Sequence, residues 1–320
     1  MKTFILAILT SLFATASHAA GLQFFTIPAD ASGPAIQTAV WTPCSIFASD
    51  LRIGPYDLKA QRNCPTSGAL LPLIVISHGH GGTFLGHHDL AETLADAGFV
   101  VAAINHPGDT HSDMSRADDI SEFIERPTDI KRLIDYMLDV WPDAAKLDAH
   151  AIGFFGFSRG GFTGLVLAGG VPDFMHAKIT CPYADEQVCE RAKAQAMNAV
   201  WTHDARIRVF VIADPFSVFP TPDTLKDVKQ PIQLWASQYG GDGVVPETVK
   251  ALADVLPIHL EFHVATGAAH FAFLAPCPAE MAHDAPTVCL DPNGFDRVSF
   301  HKQFDEQALR FFRQAFPAQK

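Results

Sequence analysis

A serine lies between glycines in the segment "GFSRG", residues 156–160, which fits the pattern G-x-S-x-G. The pattern is typical of a nucleophilic serine when a strand precedes it and a helix follows, because the tight turn between them exposes the hydroxyl. Here an apolar run over 151–157 predicts a buried strand, and 160–170 predicts a helix. We therefore interpret Ser158 as a candidate nucleophile; a purely structural turn serine is the alternative.

A serine nucleophile needs a general base, which is most often a histidine. In strand–turn–helix hydrolases the acid and the histidine follow the serine in chain order. His270 lies in "ATGAAHFAF", directly after a predicted strand at 258–265. Ligands of parallel sheets bind at the carboxyl ends of strands, so this position predicts His270 as the base, with His283 as a weaker alternative.

Two aspartates are candidates for the acid that orients the histidine. Asp242 lies in the glycine-containing loop "SQYGGDGVVP" after a predicted strand at 231–237, and Asp214 directly follows a predicted strand at 206–213. Both lie at the carboxyl end of a strand. The loop context favours Asp242, and Asp214 stays open as the alternative acid.

The developing oxyanion in such a reaction needs main-chain N–H donors. One should come from the residue after the nucleophile, which is Arg159. The other should come from a loop after an earlier strand, and "SHGHGG" (77–82) follows the apolar run 70–77. We expect His80 to supply that donor through its main chain.

The chain carries 15 histidines, so a metal-dependent hydrolase is an alternative. Its ligands would come from the cluster His78, His80, His87 and His88. Residues 82 and 83 are Gly and Thr, which breaks the H-x-H-x-D-H pattern of metallo-β-lactamase-like sites, and no Cys-x-x-Cys occurs. We therefore expect neither a metal nor an organic cofactor. A catalytically inactive hydrolase fold used for binding is a further alternative.

Predicted strands alternate with predicted helices along most of the chain. The strands are 35–43, 70–77, 99–105, 151–157, 206–213, 231–237 and 258–265, and the helices are 89–98, 128–141, 160–170, 185–200 and 300–316. This alternation predicts an α/β fold with a mostly parallel sheet covered by helices on both faces. We expect one domain over 20–320, with 171–205 as a possible small lid and 106–127 as a polar covering loop.

The segments "HGHGG", "GFSRGG", "GGDGVVP" and "GAAHFAFLAPC" together resemble secreted bacterial α/β-hydrolases of the dienelactone hydrolase-like type, which are similar to platelet-activating factor acetylhydrolases. The resemblance implies an α/β-hydrolase fold and a serine carboxylesterase with Ser158, Asp242 and His270 as its triad. The expected substrate is a small or lipid-like carboxylic ester. Dienelactone hydrolases use a cysteine nucleophile, so the family label does not define the substrate. In acetylhydrolases of this kind the acid follows the preceding strand, where Asp214 lies.

The first residues, "MKTFILAILTSLFATASHA", combine a lysine, a short apolar run and small residues. This is the pattern of a signal peptide over 1–19, so we expect export to the periplasm or the medium. An exported chain with six cysteines predicts disulfides, and sequence proximity favours the pairs Cys44–Cys64, Cys181–Cys189 and Cys277–Cys289.

The formal net charge is −12, which disfavours nucleic acid and anionic membranes as partners. Beyond the signal, no apolar run reaches the length of a membrane span, so no stable membrane insertion is expected. The expected partner is therefore a small-molecule ester. The sequence does not define an oligomeric state.

Overall fold

The computed structural model describes residues 19–177, 186–258 and 260–317. Within these residues ten strands form one sheet. The strands are β1 (Ala19–Ile27), β2 (Ile36–Cys44), β3 (Ser49–Ile53), β4 (Tyr56–Arg62), β5 (Leu71–Ser77), β6 (Val100–Ile104), β7 (Leu147–Phe157), β8 (Ile207–Ala213), β9 (Ile232–Ser237) and β10 (Leu260–Ala265). The helices are α1 (His88–Asp96), α2 (Ile120–Asp139), α3 (Arg159–Leu167), α4 (Glu186–Met197), α5 (Pro246–Val255), α6 (Ala279–Asp284), α7 (Pro286–Cys289) and α8 (Arg297–Ala315).

The strand order across the sheet is β10-β9-β8-β7-β5-β6-β2-β1-β4-β3. The first six strands of that order are parallel to one another, and β2 pairs antiparallel with β6. The predicted mostly parallel sheet is confirmed. Strands β1, β3 and β4 were not predicted. Each contains exposed residues, and such strands give a weaker pattern than parallel strands that are buried on both faces.

Helices cover both faces of the sheet, as the alternation predicted. On one face α1 and α8 pack with Leu90, Leu94, Phe304 and Phe312 in the core. On the other face α2, α3 and α5 supply the apolar side chains of a second core cluster. Burying each phenylalanine side chain contributes about 1.5–3 kcal/mol, so both faces hold the parallel strands firmly.

Helix α2 is longer than predicted. The sequence placed its start at 128, but the helix begins at Ile120 and contains Pro127. Asp119 caps it by accepting a hydrogen bond from the main-chain N–H of Ser121 at 2.9 Å. Proline removes a single intrahelical donor, and packing of the buried Ile120 compensates for that loss. Part of the expected polar loop 106–127 is therefore helical.

Two of the three expected disulfides are confirmed: Cys44–Cys64 and Cys277–Cys289. The third expected pair includes Cys181, which lies outside the described residues, as do residues 1–18 of the expected signal peptide over 1–19. Among the described residues, no helix is both long enough and apolar enough to cross a bilayer.

Candidate active site

Ser158 occupies a strained turn between β7 and α3. Its φ and ψ are 56° and −117°, a conformation that non-glycine residues rarely adopt. Its side chain is almost fully buried. This is the geometry that the G-x-S-x-G pattern predicted, and the turn places the serine at the carboxyl end of the parallel strands.

The glycines of this turn are required by close backbone contacts. A Cβ on Gly156 would lie 2.3 Å from the carbonyl oxygen of Gly160. A Cβ on Gly160 would lie 1.9 Å from the carbonyl oxygen of Ser77, the last residue of β5. No larger residue fits either position, so the start of α3 packs directly on the two central strands.

His270 lies just after β10 and is hydrogen-bonded to Asp214, which follows β8. The Nδ1 atom of His270 is 2.7 Å from Oδ2 of Asp214, and both side chains are buried. Asp214 also accepts hydrogen bonds from the main-chain N–H and the hydroxyl of Ser237, each at 2.8 Å. These bonds fix the carboxylate, which in turn fixes the imidazole ring.

The Ser158 turn and the His270–Asp214 pair lie together. The main-chain N–H of Ser158 donates to the carbonyl of Ala213, the residue before Asp214, at 3.0 Å. The ring of Phe157, the residue before Ser158, is 4.6 Å from the His270 ring, centroid to centroid. The Nε2 atom of His270 is buried and has no hydrogen-bond partner among the described residues. It is therefore available to a serine hydroxyl or a substrate.

The structure does not bring Asp242 to the histidine. Its side chain is exposed and lies in a tight turn closed by reciprocal hydrogen bonds between Gly241 and Val244. The same loop does contact the site through its main chain, because the carbonyl of Gly240 accepts a 2.9 Å hydrogen bond from the N–H of His270. The geometry thus pairs His270 with the alternative acid, Asp214.

The two expected oxyanion donors are both unpaired. Arg159 is the first residue of α3, where main-chain N–H groups have no intrahelical partner. His80 lies in the loop after β5, within a turn closed by Gly82 N–H and the Gly79 carbonyl at 3.2 Å. Neither main-chain N–H donates a hydrogen bond to another described residue. The helix N-terminus adds a positive partial charge at this point.

A buried ion pair, which the sequence analysis missed, holds the loop of His80. Arg126 of α2 donates to the carbonyls of His78 at 2.8 Å and Gly79 at 3.1 Å. It also forms a salt bridge of 2.9 Å with Asp109, and both side chains are fully buried. The other oxygen of Asp109 accepts from the N–H of Gly81 at 2.8 Å.

The charge of Asp109 is stabilised where it lies. Burial raises the pKa of this carboxyl, but the guanidinium groups of Arg126 and Arg159 more than offset burial and lower the pKa below its usual value. Arg159 lies 3.1 Å from the carboxylate. The only sequence signal for the pair was its place in the polar segment 106–127, which follows a strand end.

A second buried hydrogen-bond chain runs beneath the same loop. The hydroxyl of Ser77 is 2.9 Å from Nε2 of His106, and Nδ1 of His106 is 3.0 Å from Asp129. Burial lowers the pKa of His106 well below its usual value and raises that of Asp129 to about 8. Ser77 and His106 are fully buried, so this chain supports the loop and has no access to a substrate.

The histidines of the expected metal cluster do not converge. Both ring nitrogens of His78 are engaged, one with the carbonyl of Gly79 at 2.6 Å and the other with the N–H of His106 at 3.2 Å. Within the described ranges, the arrangement of side chains suited to a metal ion is Asp89, His301 and Asp305. It includes none of His78, His80, His87 and His88.

Two half-buried phenylalanines lie beside the site, Phe216 and Phe271, whereas the ring of Phe84 packs against Phe24 at 5.6 Å between centroids. The N–H of Phe216 donates to the carbonyl of Ser158 at 3.1 Å, and Phe271 follows the histidine. The other phenylalanines that could have lined a pocket, Phe157, Phe219 and Phe273, are buried in the core. These three rings therefore do not line a substrate pocket.

Comparisons with known proteins support this fold. The family model of serine aminopeptidases, S33 (Hydrolase_4), matches residues 70–208, which include the "SHGHGG" loop and Ser158. A ferulic acid esterase from Streptomyces cinnamoneus superposes with a TM-score of 0.63 at 15% identity, over 95% of this chain and 91% of that chain. No curated protein matches the sequence. The chain has the α/β-hydrolase fold, with a candidate Ser–His–Asp site at the carboxyl ends of its strands.

Proposed function

We propose that the protein is a serine hydrolase that cleaves carboxylic esters through an acyl-enzyme on Ser158. One observation carries the proposal. His270 has Asp214 on Nδ1 and a buried, unpartnered Nε2 beside the strained turn of Ser158. This is the arrangement that a serine nucleophile, its base and the acid behind the base require.

In the first half of the reaction the Ser158 hydroxyl attacks the ester carbonyl while Nε2 of His270 takes its proton. Asp214 stabilises the imidazolium that forms. The imidazolium then gives the proton to the leaving alkoxide, so the alcohol departs and the acyl group stays on the serine oxygen. In the second half a water molecule attacks the acyl-enzyme, and His270 again takes and returns a proton.

The main-chain N–H groups of His80 and Arg159 are the proposed oxyanion donors. Losing one such donor typically lowers the rate by about 10²–10³. Burial and the charge of Arg159 lower the pKa of the His80 imidazole, so its side chain is neutral at pH 7 and adds no charge. Substitutions other than proline leave a main-chain donor in place, so this role depends on the loop geometry that Arg126 maintains.

The proposed substrate is an ester with an apolar acyl group of small or moderate size, including lipid-like ones. The half-buried residues Phe216 and Phe271 support this, because Phe216 is hydrogen-bonded to the main chain of Ser158 and the ring of Phe271 lies 5.3 Å from that of His270. The structural neighbour is a ferulic acid esterase, so esters with an aromatic acyl group belong among the substrates to be tested. A subtype close to dienelactone hydrolase-like proteins or acetylhydrolases is part of the proposal, as is a lid role for 171–205.

The confirmed disulfides, Cys44–Cys64 and Cys277–Cys289, support a proposed export to an oxidising compartment, periplasmic or extracellular. In such a compartment the single domain over 20–320 would meet esters outside the cytoplasm. Cell fractionation with an antibody to the chain would test this, and recovery in the cytoplasm would contradict it.

The nucleophile can be tested directly. Wild type, Ser158→Ala and the exposed-serine control Ser32→Ala would be treated with a fluorophosphonate probe and with p-nitrophenyl esters of increasing acyl length, together with methyl ferulate. We expect wild type and Ser32→Ala to be labelled and active, and Ser158→Ala to lose the label and at least about 10³-fold in kcat. Labelling or full activity in a folded Ser158→Ala would contradict the proposal.

A further inference from the structure

A second group of polar side chains lies between α1 and α8. It consists of Asp89 from α1 and of His301 and Asp305 from α8. His301 and Asp305 are four residues apart, so they share one face of the helix. One ligand atom from each of the three side chains lies within 4.8 Å of the other two. None of these residues takes part in the proposed ester chemistry.

The group is buried and its hydrogen-bonding capacity is largely unused. His301 and Asp305 are 4% and 6% exposed. Oδ1 of Asp305 and both carboxylate oxygens of Asp89 are buried without a hydrogen-bond partner among the described residues. A buried polar atom left without a partner destabilises the fold by about 1–3 kcal/mol, and more when it is charged. Apart from the 2.6 Å contact of Asp89 with His301, these oxygens have no hydrogen-bond partner among the described side chains, and a bound cation would supply the interactions that they lack.

The imidazole of His301 is oriented as that of a metal ligand would be. Its Nε2 lies 2.8 Å from the carbonyl of Ala272, which can only accept, so Nε2 carries a proton. In the neutral ring Nδ1 then has a free lone pair. Nδ1 lies 2.6 Å from Oδ2 of Asp89, but the contact lacks hydrogen-bond geometry. A metal-binding histidine usually binds the ion with one ring nitrogen and donates the N–H of the other to a main-chain carbonyl or a carboxylate.

The charges of the carboxyl groups also favour a bound cation. Asp89 and Asp305 place two carboxyl groups in a buried space, and the nearby Glu92 is engaged with His88 at 3.2 Å. Two buried carboxyl groups do not both stay ionised unless a positive charge lies close to them; otherwise one of them takes up a proton. A divalent cation would neutralise both and would leave the imidazole neutral.

We propose that Asp89, His301 and Asp305 bind a divalent transition-metal cation, with Zn²⁺ as the foremost candidate. Two carboxylate oxygens and one imidazole nitrogen suit Zn²⁺, whereas Ca²⁺ and Mg²⁺ prefer oxygen alone. One ligand atom from each side chain lies within 4.8 Å of the other two, and a bound Zn²⁺ would draw them to its usual ligand distance of about 2.0–2.2 Å. The ion has a structural role: it joins α1 to α8 and, through the bond to Ala272, braces the turn that carries His270.

The test uses the full chain, stripped with a chelator and dialysed. Zn²⁺, Mn²⁺ and Ca²⁺ would be titrated separately by calorimetry, with metal content and Tm measured on each sample. We expect one Zn²⁺ per chain, weaker binding of Mn²⁺ and Ca²⁺, and a rise in Tm of about 4 °C at a Zn²⁺ concentration 100-fold above Kd.

Asp305→Asn is the test variant. Glu306→Gln is the control, because this substitution removes one negative charge from the exposed neighbouring residue. We expect Asp305→Asn to bind Zn²⁺ at least 100-fold more weakly and the control to bind as wild type does. If Asp305→Asn does not fold, X-ray absorption at the zinc edge of the wild type tests the proposal instead. We expect one nitrogen and two oxygen ligands from the protein. No Zn²⁺ in the wild type, equal binding by Asp305→Asn, or a sulfur-containing shell would overturn the proposal.

Discussion

The sharpest test of the proposed site is the replacement of Asp214 by asparagine. In the structure Oδ1 of Asp214 accepts the main-chain N–H of Ser237, while Oδ2 accepts both the Ser237 hydroxyl and Nδ1–H of His270. The carboxylate is fully buried, so no water replaces a lost contact. The substitution keeps the shape of the side chain and changes only one oxygen and the charge.

An asparagine at position 214 can accept the hydrogen bond from the main-chain N–H of Ser237 in only one orientation. Its oxygen must take the place of Oδ1, because the main-chain N–H of Ser237 can only donate. The amide NH₂ then faces Nδ1 of His270, which must become the acceptor. The ring proton therefore moves to Nε2, and Nε2 can no longer take the proton of Ser158. In the chymotrypsin triad the equivalent change lowers kcat by about 10⁴, or about 5.4 kcal/mol in the barrier, and we expect a loss of this size here.

The assay is kcat on p-nitrophenyl acetate for wild type, Asp214→Asn and Asp242→Asn, with Tm measured on each protein. Asp242→Asn is the matched control, since its carboxylate is exposed and forms no hydrogen bond with His270. We expect it to keep kcat within about threefold of wild type, as a surface change that touches no reacting group. The reasoning is refuted if folded Asp214→Asn keeps more than a tenth of the activity, or if Asp242→Asn loses as much as Asp214→Asn.

Three further predictions concern stability. Gly160→Ala places a Cβ against the Ser77 carbonyl, so we expect little soluble protein or a free energy of unfolding lower by at least about 3 kcal/mol; a urea transition like that of wild type would contradict this. Arg126→Leu removes the fully buried partner of Asp109 and leaves the partly buried Arg159 as its counter-charge, so it should lower that free energy by at most about 3–5 kcal/mol, whereas a loss below 1 kcal/mol would show that the pair is not needed. Burial raises the pKa of Asp129 from 3.8 to about 8, so its contribution to stability is lost as pH rises from about 4 to 8. From pH 6.5 to 8 we expect a decline of at most about 1.4 kcal/mol per pH unit, and a slope unchanged in Asp129→Asn would contradict it.

The pH range from 6.5 to 8 is chosen for Asp129 because, below it, the buried histidines have the opposite effect on stability. Burial lowers the pKa of His78 and His87 from 6.5 to about 3. Their contribution to stability is therefore present above pH 6.5 and is lost as pH falls toward 3. Below pH 6.5 the two effects offset each other. Above it Glu122, whose pKa burial raises to about 7, loses its contribution together with Asp129, so the difference between wild type and Asp129→Asn gives the share of Asp129.

Much of the fold could be predicted from the sequence because buried parallel strands are continuous apolar runs. Strands β5, β6 and β7 gave this pattern, and so did the glycine-bounded turn at Ser158. The Cys44–Cys64 and Cys277–Cys289 bonds followed from proximity along the chain. Edge strands such as β3 have alternating exposed and half-buried residues, which resemble a loop in sequence.

The sequence could not show which of the two candidate acids contacts the histidine, and the reason is physical. Asp214 and Asp242 follow neighbouring parallel strands, and both have positive φ values, 45° and 48°. Local sequence fixes the turn at each aspartate but not the direction of the side chain. That direction depends on Ser237, whose N–H and hydroxyl both donate to Asp214 from the end of β9. This contact joins residues 23 positions apart, beyond the reach of local pattern.

The buried pair of Arg126 and Asp109 illustrates why the support of a site is harder to predict than the site itself. A buried ion pair adds little net stability, because the loss of hydration offsets most of the attraction between the charges. This pair nevertheless makes further bonds to main-chain atoms of His78, Gly79 and Gly81, on both sides of the proposed donor His80. Those bonds restrict the direction of the His80 N–H before any substrate arrives, and a donor held in place in advance stabilises an oxyanion without reorganisation. The pair is therefore better explained by the geometry of the loop than by its contribution to the stability of the fold.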